Sequence, residues 1–255
     1  MMPYLVLAAL AAVLAVVVAA LTFRKFAKDD DEPDGATAGH AGSMLSALFL
    51  LVFAIAVIVP WTVADTAQQN TYAEARSLTE AYWETDDLPP AARQEIRRRI
   101  DAYTNFVVSR EWHAMGDGRL NDEGWRQLDA LRVTLNGLQL KDKEQADARD
   151  DIVDRVKETY AFRKQRGVDA RSGLPPGIPI LTVLTGVIIV IFPFLAGAKP
   201  RGMTLVPLLV MSALLGISIY LVFNIEHPFT GGLAVGPDAF TSAMREFARI
   251  QAVAP

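Results

Sequence analysis

The residues able to do chemistry are few, and the most suggestive pair stands at the end of an apolar run. That run closes on Phe223-Asn224-Ile225-Glu226-His227-Pro228-Phe229-Thr230-Gly231-Gly232. A carboxylate beside an imidazole is the pairing that general acid–base catalysis and proton relays use. A second group, Glu111-Trp112-His113, falls in a polar part of the chain, and Glu74 stands on a long stretch without Gly or Pro. Catalysis by Glu226 and His227 needs a third polar group, and the apolar run before them carries no Asp, Glu, Lys or Arg. The three histidines, His40, His113 and His227, are too scattered for metal-ligand spacing. The segment GDGRLNDEGW fails as a calcium loop, because Arg119 stands where an oxygen ligand belongs and Asp122 where the Gly turn belongs. There is no Cys, no Gly-rich phosphate loop and no nucleophile elbow. The expectation is a protein that is not an enzyme, with no cofactor and no bound metal.

The elements that carry these residues follow from the distribution of charge. Of 255 residues 51% are hydrophobic, and the net charge of −4 is too small to point to nucleic acid. Four stretches, 1–23, 41–64, 172–198 and 202–225, contain no Asp, Glu, Lys or Arg. Each is as long as the roughly 20 residues that a helix needs to cross a bilayer core. In lipid a spanning segment must satisfy its own backbone groups, which makes helix the expected form. The fold class predicted is an all-α membrane protein with four transmembrane helices and a helical bundle domain inserted between the second and third. The helices are placed at about 4–23, 43–64, 174–198 and 203–225, the polar helical domain at 65–171, and a tail with a short helix at 226–255. The first segment has no basic head and is followed by Arg24 and Lys25, so it reads as a retained anchor rather than a signal peptide.

Within that plan the second helix runs on beyond the membrane to about residue 85, with Tyr72, Ala75, Thr79 and Tyr82 at helical spacing. Glu74 on it is either a surface residue or part of a ring of charge around a vestibule in an oligomer. Gly, Ala, Thr and Ser between the first two helices read as a flexible connector. Asp87 before Pro89-Pro90 reads as a cap with Pro in the first turn. Apolar stripes follow at Ile96, Ile100, Tyr103 and Val107, then at Leu128, Leu131, Leu135 and Leu138, then at Ile152, Val156 and Tyr160. Glu111-Trp112-His113 closes the first of these helices, either as an exposed patch or as a packed Trp beside a solvated Glu. Pro175 and Pro176 suit the start of the third membrane helix.

Orientation follows from the flanking charges. Arg24, Lys25, Lys28, Lys199 and Arg201 sit on one face, and Arg163, Lys164, Arg166 and Arg171 precede the third span on the other. The first helix has basic residues after it and none before it. The positive-inside rule therefore predicts an extracytoplasmic helical domain and extracytoplasmic termini in a bacterial cell membrane.

Taken together, YAEARSLTEAYWETDDLPPAARQEIRRRIDAYTNFVVSREWHAM, RKQRGVDARSGLPP and HPFTGGLAVGPDAF resemble the bestrophin-like domain family, also called DUF4239, of bacterial multi-pass membrane proteins. The motif residues are Glu74-Ala75, Glu111-Trp112, Leu174-Pro175-Pro176 and His227-Pro228-Phe229 with Gly231 or Gly232. The resemblance implies a four-span subunit of a homo-oligomeric anion channel or pore, with the lipid bilayer as its setting. The candidate pore-mouth or motif residues are then Glu74, Glu111, Trp112, Pro175, Pro176, Glu226, His227, Pro228 and Phe229. The alternative reading is a non-conducting accessory or envelope-sensing membrane protein whose 65–171 domain binds a protein partner. It rests on the absence of ionisable groups within the spans.

Overall fold

Helix is the only regular structure among the described residues. The computed structural model describes residues 2–26, 35–175, 177–196, 205–232 and 234–253. The helices are α1 (Met2–Phe26), α2 (Gly35–Glu84), α3 (Pro90–Phe106), α4 (Trp112–Met115), α5 (Asp122–Asn136), α6 (Lys143–Asp169), α7 (Gly177–Leu195), α8 (Leu205–Asn224) and α9 (Asp238–Val253). A 3-10 turn at Thr85–Asp87 follows α2, and a π-helical turn at Val107–Glu111 joins α3 to α4. Three of these helices, within Gly39–Asp87, Gly177–Leu195 and Leu205–Asn224, are long and apolar enough to cross a membrane. In α1 the apolar stretch among the described residues is the shorter Val6–Val18.

Two expectations are corrected at helix ends. The connector expected before residue 43 is already helical from Gly35, because no residue after Pro33 lacks an amide donor until Pro60. Pro60 itself lies inside α2 without ending it. Asp87 does not cap α3. It closes the 3-10 turn, and Pro89 takes the N-cap position with Pro90 at the first helical site, where a missing N–H costs nothing.

The chain divides into two compact units. One takes in Met1–Trp61, Gly173–Glu226 and Gly231–Leu233. Its buried apolar residues include Val16 of α1, Phe49 of α2, Ile189, Val190 and Phe194 of α7, and Leu215 of α8. α1 and α8 approach through small residues. A Cβ on Gly216 would meet the Ala8 carbonyl oxygen at 2.7 Å and the Ala8 backbone cannot yield as a side chain could. Close approach over small residues is how apolar helices gain packing where lipid and side chain are equally apolar.

The other unit takes in Thr62–Ser172, His227–Thr230 and Ala234–Pro255. It is a bundle of the later part of α2 with α3, α5, α6 and α9. The predicted stripes form its core: Ile96, Ile100, Tyr103 and Val107, Leu128, Leu131 and Leu135, and Ile152 and Val156 are all buried. Leu138 packs against that core from beyond the end of α5, and Tyr160 is half-buried. α5 and α6 open on side-chain caps, with Asn121 accepting from the Glu123 N–H at 2.9 Å and Asp142 from the Glu144 N–H at 2.8 Å. α9 turns Ala239, Phe240, Ala243, Phe247 and Ile250 inward, and Phe247 stacks on Tyr82 of α2 with ring centroids 4.4 Å apart.

The close approach at Gly216 makes a direct prediction. Gly216→Ala forces the α1 backbone away from α8 and lowers stability by about 1–3 kcal/mol, the usual cost of overpacking. Thermal denaturation of the purified protein in detergent reads it, and an unchanged midpoint contradicts the packing described.

Candidate functional site

Two carboxylates and two guanidiniums lie at the centre of the bundle, all with fully buried side chains. Glu74 comes from α2, Glu111 from the π turn, and Arg163 and Arg166 from α6. Each stands on the inward stripe of its own helix. On α2 the buried positions include Ala67, Thr71, Glu74, Leu78 and Tyr82, and on α6 they include Ile152, Val156, Thr159, Arg163 and Arg166. Helical periodicity therefore carries the charges inward with the apolar residues.

The pairing is complete at the carboxylates. Arg166 Nε donates to Glu74 Oε2 at 2.7 Å, and its Nη2 donates to Glu74 Oε1 and to Glu111 Oε1, both at 3.0 Å. Tyr103 donates its hydroxyl to Glu74 Oε1 at 2.6 Å. Arg163 straddles Glu111, with Nη1 to Oε1 at 2.6 Å and Nη2 to Oε2 at 2.5 Å. This two-pronged match of guanidinium to carboxylate is the strongest form of the pair. Asn121 fastens the same point three ways. Its N–H donates to Glu111 Oε2 at 3.1 Å, its carbonyl accepts from Arg163 Nη2 at 2.8 Å, and its side chain caps α5.

The arginines also meet aromatic faces. The Arg163 guanidinium lies 4.6 Å from the Trp125 ring centroid, and that of Arg166 lies 5.4 Å from Phe240 and 5.8 Å from Trp112. Arg166 Nη1 points to the Met115 sulfur at 2.8 Å. Gly124 makes room for Arg163, since a Cβ there would lie 2.2 Å from Nη2. Among the described residues Arg163 Nε has no hydrogen-bond partner.

The charges sum to zero, which is the condition for burying them at all. Burial works against the Glu111 carboxylate, but the hydrogen bonds from Arg163 and the charge of Arg166 overcome it and hold its pKa below the ordinary 4.5. Burial and the neighbouring Glu74 carboxylate push the Tyr103 hydroxyl well above its ordinary 10.0. Burial disfavours the charged Arg166, and Glu74 more than restores it, so the guanidinium stays protonated.

The expected site residues fall into separate places. Glu74 does not face outward as a ring of charge requires, and Glu111 is neither exposed nor solvated: each is closed off by arginine. Trp112 is half-buried, donates Nε1 to the Val235 carbonyl at 3.3 Å, and meets the edges of Phe229 and Phe240. Pro228 and Phe229 are buried, and the Val235 N–H returns to the Pro228 carbonyl at 2.8 Å. The cluster thus brings together Glu74, Glu111, Trp112 and Phe229 of the expected residues, with Pro228 in the adjoining loop. Glu226 is half-buried and His227 is exposed, just beyond the end of α8 at Asn224. Pro175 is exposed, and its carbonyl accepts from the Ile178 N–H at 2.9 Å at the opening of α7. Pro176 lies outside the described residues. Arg163, Arg166 and Tyr103 were missed as site residues. The arginines counted as juxtamembrane charge, and Tyr103 as part of an apolar stripe.

Removing one charge leaves its partner buried and uncompensated. Glu74→Gln or Glu111→Gln therefore destabilises the bundle by about 3–5 kcal/mol, while Glu74→Leu combined with Arg166→Met keeps the sum at zero and costs less than either single change. Thermal denaturation of the three variants tests this order. The pH dependence has a definite sign. The Glu111 pKa is lowered on folding, so its contribution is whole above pH 4.5 and is lost as pH falls below it. The raised Tyr103 contributes fully below pH 10.0 and is lost as pH rises beyond. Melting points recorded across both limits check the two losses.

Comparison with known proteins agrees with this architecture. No curated protein matches the sequence. The crystal structure of a bacterial bestrophin homologue from Klebsiella pneumoniae, carrying one mutation, covers 98% of this chain and 99% of its own at 13% identity, with a TM-score of 0.71. A second structure of a bacterial bestrophin homologue from that organism gives 98%, 99% and 13%, with a TM-score of 0.66. At that identity the likeness is one of fold. Residues 9–240 match the model of the Bestrophin-like domain, in agreement with the resemblance read from the residues. The chain is a membrane protein that belongs to the bestrophin-like family.

Proposed function

We propose that the chain is one subunit of a homo-oligomeric, anion-conducting membrane channel. The observation that carries this reading is the match of residues 9–240 to the Bestrophin-like domain, supported by a bestrophin-homologue fold over 98% of the chain. In this reading four helices, at about 4–23, 43–64, 174–198 and 203–225, cross the bilayer, and the helical domain of 65–171 is inserted between the second and third. The buried cluster of Glu74, Glu111, Arg163 and Arg166 is the rigid centre of that domain. In the same reading Glu226 and His227, just after the last span, would face ions at a pore mouth, a role supported by the exposure of His227.

The orientation proposed puts the helical domain and both termini outside the cytoplasm. One structural fact supports it. Of the four basic residues before the third span, Arg163 and Arg166 are buried and paired with carboxylates, which leaves Lys164 and Arg171 as the exposed ones. The opposing charge bias is weaker than the residue count suggests.

A second reading has an observation of its own. The cluster's charges are neutralised internally, so they offer nothing to a permeating ion, and the apolar runs hold no Asp, Glu, Lys or Arg. That favours a non-conducting protein whose helical domain binds a partner.

Reconstituted liposomes separate the two. The channel reading expects chloride flux, altered in size or pH dependence by His227→Ala with assembly intact. Liposomes that pass no anion at any voltage contradict it. Orientation is read with single cysteines in a chain that has none, at Gly39, Asp117 and Gly232. Only Gly39→Cys is expected to be shielded from a membrane-impermeant thiol reagent on intact cells, and the reverse pattern inverts the topology.

A further inference from the structure

The π turn at Val107–Glu111 is the one departure from α geometry between the start of α3 and the end of α4. It stands between the buried cluster and the loop that follows α8. Tyr103, Val107, Glu111 and Met115 are each at most 1% exposed. They are four residues apart, and each four-residue step carries a side chain about 40° further round an α-helix. Three such steps in a plain α-helix take Met115 off the face that Tyr103 occupies. A π turn holds about one residue more and takes out that drift. It therefore lets Tyr103, Glu111 and Met115 all meet Arg163 or Arg166. It also sets the direction of the next residue, Trp112, whose ring edge meets Phe229 and Phe240 and whose Nε1 holds the Val235 carbonyl.

We propose that the π turn is a register latch. While Arg163 and Arg166 hold Glu111, the extra residue stays in the turn and Trp112 stays seated on the 227–235 loop. Once Glu111 is released, the wide turn loses the ion pairs that hold it, and it reverts to the more favourable α geometry. Every residue after it then rotates by about one position, or 100°. Trp112 leaves Phe229 and the Val235 carbonyl, and residues 227–230 and Val235 lose that hold. The device makes the order of that segment depend on the ion cluster through Trp112.

Hydrogen exchange on the full chain in detergent tests the latch. In Glu111→Gln the amides of Phe229, Thr230 and Val235 exchange about tenfold faster or more, while Glu74→Gln, which breaks the same cluster away from the π turn, leaves them within about twofold. Equal acceleration in both variants, or none in Glu111→Gln, overturns the latch. The deletion of Ser109 removes the extra residue and leaves Glu111 and Trp112 in their places on a plain α-helix. This variant is expected to fold, and in its background Glu111→Gln no longer frees the loop. A deletion that does not fold, or one in which Glu111→Gln still frees the loop, overturns the proposal, and this arm decides the matter if Glu111→Gln alone does not fold.

Discussion

The helical unit depends on one constraint: two negative and two positive charges must be taken out of water together. A buried ion pair gains little over a well-packed apolar one, because the desolvation of each ion nearly cancels their attraction. What it imposes is geometry. The Glu111 carboxylate accepts from Arg163, Arg166 and the Asn121 N–H at once, and that position cannot be met approximately. Gly124, the α5 cap and the π turn are each adjusted to it. The aromatic faces of Trp125, Trp112 and Phe240 close around the guanidiniums and keep water from competing.

Membership of a bestrophin-like family and a shared fold place the chain in the membrane without assigning its activity. The structure bears on that question through where its charges are. Those of the helical unit that resemble functional groups in sequence are spent on one another. Among the described residues His227, just after α8, is still open to solvent, and attention on ion handling belongs with it.

Much of the architecture was legible in the sequence because it follows from period and charge. The uncharged stretches, the stripes of α3, α5 and α6, and the end of α8 before His227 rest on local rules that tertiary structure does not overrule. The cluster was not legible for a definite reason. Arg163 and Arg166 continue the stripe of Ile152, Val156 and Thr159, and Glu74 stands between Thr71 and Leu78 on the stripe of α2. A stripe defined by apolar residues alone stops where the charge begins, so each charge read as the start of solvent. Opposite charges on the inward positions of two separate helices were the available signal. The π turn left a fainter one, the run of four-residue steps from Tyr103 to Met115, and nothing local distinguishes it from a surface helix with a slow drift.

The helical unit is discontinuous in the chain, and that has a consequence for synthesis. Glu74 and Glu111 leave the ribosome well before Arg163 and Arg166, being 92 and 52 residues from their main partners. Phe240 and Phe247, which close the core, come only after α7 and α8 have been made. The nascent chain must therefore carry an open bundle, its charges present but its α9 side still uncovered, while α7 and α8 are made. Completion of the fold is timed by the C-terminus, and a ribosome that stops short of α9 leaves a protein in the membrane whose polar half has no lid.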